Sequence, residues 1–159
     1  MRIRLAALVL LTALVGASAG SSSTSHVVHI YAPHGSAGTS CTRVVPLDRY
    51  VRTKTPLRAA MRALLAGPTA AERSRGYGGW FSKRTAGMLH AATIVGDTAY
   101  VDFHDFRAVV PGASASCGSA LLLAQLDRTA KQFRRVRSVV YSFDGSRAAF
   151  YEWLQRETP

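Results

Sequence analysis

Acidic residues, cysteines and long apolar runs are all scarce in this chain. Nine Asp and Glu face 20 Lys and Arg, giving a formal net charge of +11 and a pI near 10.6. That balance favours anionic surfaces such as phosphate-rich wall polymers, acidic lipid headgroups or nucleic acid. The arginines are scattered over polar faces, however, and only Arg134, Arg135 and Arg137 cluster tightly. The interleaving of basic and aromatic residues that marks a nucleic-acid module is absent, so no nucleic-acid partner is expected. The longest apolar run is about eleven residues, short of the roughly twenty a transmembrane helix needs. No P-loop, dinucleotide fingerprint or zinc spacing occurs, and no cofactor is expected.

What the N-terminus does contain is an export signal. Arg2 and Arg4 form a positive start, residues 5–15 are apolar apart from Thr12, and Ala17-Ser18-Ala19 is a small-x-small cleavage pattern. Cleavage after Ala19 is expected, with residues 1–19 as signal peptide, 20–25 as flexible spacer and 26–159 as one domain. No cysteine follows the cleavage point, so there is no lipobox, and the mature chain is expected to be secreted or extracytoplasmic. In that compartment two cysteines point to a disulfide between Cys41 and Cys117. A nucleophilic thiol is the alternative, but no histidine or acid is adjacent to Cys117 in sequence.

Periodicity then orders the elements. Residues 26–31 and 43–51 read as strands around a Gly/Ser/Pro loop. Thr55-Pro56 opens a helix whose Leu57, Ala60, Met61, Leu64 and Leu65 share one face, and Gly67-Pro68 stops it. Thr69 and Glu72 have capping-box spacing. A hairpin turns at residues 96–98. A helix over about 117–133, capped by Ser114 or Ser116, carries Leu122, Leu126, Thr129 and Phe133 along one stripe. A strand over 136–143 and a short terminal helix over 148–155 complete the chain. The expected class is α/β (α+β): one small mixed sheet with amphipathic helices packed against it, in a single two-layer domain.

Between the first helix and the hairpin lies a Gly-aromatic loop, residues 75–81, with Tyr77, Trp80 and Phe81. Two readings stand. Exposed aromatics on a glycine-rich loop make an adaptable contact surface, whereas large aromatics more often fold back over the core. Tyr77, Trp80 and Phe81, with Arg134, Arg135 and Arg137, are the candidate interaction surface.

The search for chemistry gives little. His26 and His29, three apart on a strand, point to opposite faces and make a poor metal pair. Gly35-Ser36-Ala37-Gly38 lacks the spacing of a nucleophile elbow. His104 with Asp102 or Asp105 is one candidate acid-base group, although adjacent polar residues at a strand end commonly serve a turn.

Four runs taken together carry a likeness: Leu64 to Thr69 with Glu72; Ala99-Tyr100-Val101-Asp102-Phe103; Leu123-Ala124-Gln125-Leu126 with Thr129, Gln132, Phe133 and Val136; and Asp144-Gly145. In order and spacing they resemble the GerMN domain of spore germination and sporulation proteins, here in an actinobacterial-type form. The resemblance implies an exported or envelope-tethered α/β domain acting in binding or assembly, and it brings no catalytic residues. A single copy without a lipobox fits a free-standing secreted domain. The expected function is therefore a non-enzymatic envelope module whose sheet edge or aromatic loop binds a protein or cell-wall partner. A small secreted hydrolase using His104, or an electrostatic binder of anionic wall polymers, is the alternative.

Overall fold

The computed structural model describes residues 25–35 and 40–159, so the expected signal peptide and most of the spacer lie outside the described residues. Strands β1 (Ser25–Ala32) and β2 (Val45–Arg52) pair antiparallel, with Ile30 opposite Leu47. Helix α1 (Pro56–Ala66) and the short α2 (Ala70–Ser74) lead through the Gly-aromatic loop to β3 (Leu89–Val95) and β4 (Thr98–Phe103), a hairpin closed at Gly96-Asp97. A 3₁₀ turn (Pro111–Ser114) and α3 (Ser116–Lys131) carry the chain across to β5 (Ser138–Phe143), which pairs parallel to β4. Helix α4 (Arg147–Trp153) closes the domain. The α/β class and the order of elements agree with the sequence, but the strands do not share one mixed sheet. They form a two-stranded ribbon, β1-β2, and a three-stranded sheet, β3-β4-β5.

Apolar periodicity explains the packing. Leu57, Ala60, Met61, Leu64 and Leu65 of α1 are all buried, on the side where α1 meets β1 and β3. Phe103, Tyr141, Phe143 and Phe150 stack between the three-stranded sheet and α4, with ring centroids 5.0–6.2 Å apart. Offset and edge contacts of this kind add to area burial.

Two caps differ from expectation. Thr55 precedes Pro56 but makes no side-chain bond to α1; its hydroxyl lies 3.1 Å from that of Thr53. At α3 the cap residue is Ala115, between the two serines expected there, and no side-chain cap bond forms. The Thr69–Glu72 capping box is present with both bonds.

Candidate functional site

Helix α3 holds the free edge of β1 with side chains where a neighbouring strand would otherwise lie. Gln125, Thr129 and Gln132 fall at i, i+4 and i+7, hence on one stripe. Gln132 accepts from the His29 N–H at 2.8 Å and donates to the His29 carbonyl at 2.7 Å. Thr129 Oγ1 accepts from Tyr31 N–H, and Gln125 Nε2 donates to the Tyr31 carbonyl, both at 3.2 Å. Gln125 and Thr129 are fully buried, and the bonds satisfy backbone groups of the half-buried His29 and Tyr31 along the edge of β1. The same bonds explain why the ribbon does not join the second sheet on this side.

The Gly-aromatic loop is joined to the same clamp. Gln125 Oε1 accepts from Trp80 N–H at 3.1 Å, and the Trp80 indole donates to the Gly118 carbonyl at 3.1 Å. A Cβ at Gly79, where φ is +124°, would come within 2.5 Å of the Gln125 amide. Tyr77 is half-buried and tilts against His34 at 4.5 Å. Phe81 corrects the candidate surface: at 3 % exposure it belongs to the core, edge-on to Phe106. Trp80 is half-buried, so the loop lies folded over the domain. Cys41 and Cys117 form the expected disulfide, Cα atoms 5.1 Å apart, which fastens the segment before β2 to the first turn of α3.

Polar groups gather at the carboxyl end of the β4-β5 pair. Asp102 accepts from Ser142 Oγ at 2.6 Å, from Gly145 N–H at 2.9 Å and from His90 Nδ1 at 2.7 Å. Burial raises this carboxyl, but those three bonds outweigh it and hold Asp102 below the usual carboxylate range. His104 pairs with Asp144 at 3.0 Å and stacks on His90 with centroids 5.1 Å apart. The partners expected for His104 are therefore engaged elsewhere: Asp102 with His90, and Asp105 with Arg107, whose shortest bond is 2.6 Å. Among the described residues no group of three or more His, Cys, Asp or Glu could hold a metal ion.

On the far side of α3, a cavity of about 540 Å³ lies against Ala120, Leu123, Asp127, Tyr141, Tyr151 and Arg156. The buried Tyr141 hydroxyl donates to Asp127 at 2.8 Å. Burial, with Asp127 beside it, raises that phenol well above its ordinary value and keeps it a neutral donor.

Residues 29–149, well over half of the chain, match the family model Germane, described as sporulation and spore germination. The chain belongs to the Germane family. No curated protein and no solved structure matches it.

With the Germane match in place, the motif runs read as fastenings. The Gln125, Thr129 and Gln132 run bonds β1, Glu72 bonds Arg49 of β2 by two 2.7 Å contacts, and Asp102 fixes the turn at Asp144-Gly145. Arg134, Arg135 and Arg137 are exposed beyond the last turn of α3, whereas Trp80 contacts its first. A 16-residue helix spans about 24 Å, so the two halves of the sequence-derived surface are not brought together. The His90–His104 stack was missed because its members lie on different segments and share no motif. Among the described residues no helix is long and apolar enough to cross a membrane.

Proposed function

We propose that this Germane domain is a non-enzymatic binding or assembly module that works outside the cytoplasm, at the bacterial envelope. One observation carries the reading: Glu72, Asp102, Gln125, Thr129 and Gln132 of its motif runs are taken up in fastening strands, helices and turns to one another. The disulfide is of the kind that persists in oxidising compartments. The arrangement at His90 also supports it, because the Asp102 carboxylate stands between the Ser142 hydroxyl and the imidazole. In nucleophilic catalysis the imidazole must lie between the two.

The test is retention. The immobilised, disulfide-intact chain is expected to hold a defined protein or wall polymer from envelope fractions, saturably. A hydrolytic turnover that disappears in His104→Ala would overturn the reading. Electrostatic binding of anionic wall polymers is a second reading, favoured by the joint exposure of Arg134, Arg135 and Arg137. It requires retention to collapse as salt rises, since exposed charges are screened within about 10 Å at 0.1 M.

A further inference from the structure

Among the described residues four strand edges remain outside the ladders of the two sheets. Three are guarded. Side chains of α3 cover β1. On β5 the Tyr141 N–H donates to the Tyr151 hydroxyl at 3.2 Å. Strand β2 carries Pro46, Asp48, Arg49 and Arg52, the charges and proline that discourage edge pairing. Strand β3, LHAATIV, contains no Lys, Arg, Asp, Glu or Pro.

The register of β3 shows which groups point away from β4, on a strand where Ala92 is buried and Ile94 is exposed. The two-residue turn at Gly96-Asp97 makes Val95 and Thr98 a mutually bonded pair, and the pattern alternates from there. Thr93 and Val95 therefore bond to β4, while the amides and carbonyls of Ala92 and Ile94 face away from it. At the register shift between Leu89 and Ala91 the edge is already occupied, because the His90 carbonyl accepts from the Arg58 guanidinium at 3.2 Å. Beside this edge runs a groove of about 300 Å³ between residues 54–58 and 92–94. Pro56 and Leu57 supply an apolar wall, and Lys54 and Arg58 supply charge, with no Asp or Glu in the lining.

We infer that β3 is a docking edge for an extended, acidic segment of a partner protein, which adds as a strand along Ala92 and Ile94. The segment's backbone pairs with those two residues, an apolar side chain rests on Pro56 and Leu57, and a carboxylate meets Lys54 and Arg58. Strand addition between an edge and a helix is a recurring mode of peptide recognition. Charge selects the occupant: a second copy of this chain would bring the same cations to a protein that is itself strongly basic. The inference rests on the binding reading above and gives it a surface and a partner class.

Selection from a phage-displayed library of random linear peptides against the disulfide-intact chain tests it. The enriched peptides are expected to be acidic, and a synthetic copy is expected to slow hydrogen exchange at the Ala92 and Ile94 amides. Ile94→Pro removes an outward donor without touching the β4 ladder and should weaken binding about tenfold or more. Lys54→Glu alters an exposed side chain and should weaken it roughly fivefold, so the test stands even where the proline variant folds poorly. Absence of enrichment, a neutral or basic consensus, or unchanged affinity in both variants would overturn the docking edge. So would dimerisation of the chain through β3. An envelope partner retained equally by wild type and Ile94→Pro would overturn the edge alone, whereas hydrolytic turnover would overturn the binding reading.

Discussion

Arg49 on β2 and Glu72 on α2 are joined by two parallel hydrogen bonds, each 2.7 Å long. Glu72 also closes the α2 capping box through the Thr69 N–H at 2.7 Å. The bonds from Arg49, then from Thr69, hold its carboxyl at about 2 against the pull of burial, from an ordinary 4.5. Because the folded value is depressed, the stabilisation is complete above the unfolded value and is lost as pH falls through the folded one. Stability should therefore decline from about pH 4.5 toward pH 2, and Glu72→Gln should flatten that decline while lowering stability at pH 7 by about 2 kcal/mol. Urea unfolding at stepped pH measures both.

Reduction of Cys41–Cys117 releases a closure spanning 76 residues. The chain-entropy account gives a loss of about 4 kcal/mol. Denaturant midpoints with and without reductant, or for the Cys41→Ser, Cys117→Ser double variant, should show it.

Gln125→Leu leaves the Tyr31 carbonyl and the Trp80 N–H without their partner, at an expected cost of about 3 kcal/mol. Thr129→Val keeps the shape and orphans only the Tyr31 N–H, for about 1–2 kcal/mol. Urea unfolding should rank them in that order.

Gly67 and Gly96 separate backbone strain from collision. Both have positive φ, +72° and +63°, but a Cβ on Gly67 would lie 2.2 Å from the Phe81 carbonyl, whereas one on Gly96 meets nothing within 4 Å. Gly96→Ala should cost about 1 kcal/mol, and Gly67→Ala clearly more, about 3 kcal/mol. Thermal unfolding of the two variants checks the difference.

Local signals were readable in the chain, and long-range ones were not. The apolar face of α1, the Thr69–Glu72 box and the hairpin at Gly96 each follow from residues within one or two turns, where sterics and periodicity act directly. Division into two sheets depends on Gln132 reaching His29, 103 positions away, and no periodicity encodes such a partner. Phe81 shows the same limit: its loop is rich in glycine, yet its ring finds Phe106 in the core. At the candidate site, Asp102 and His104 could be listed from sequence, but their partners could not. His90 lies across a hairpin from Asp102, and Asp144 is 40 residues beyond His104.

The Tyr151 hydroxyl of α4, bonded to the margin of β5, would also set how far an assembly built on β3 could extend. A strand laid on β3 becomes the fourth of its sheet, and the opposite margin is already stoppered at Tyr141. Fibres need a head-to-tail contact that repeats without closing, and these two margins do not supply one. Strand addition at β3, as proposed above, would therefore be finite in stoichiometry, one added strand per chain, in a protein whose β2 margin is fenced by proline and charge.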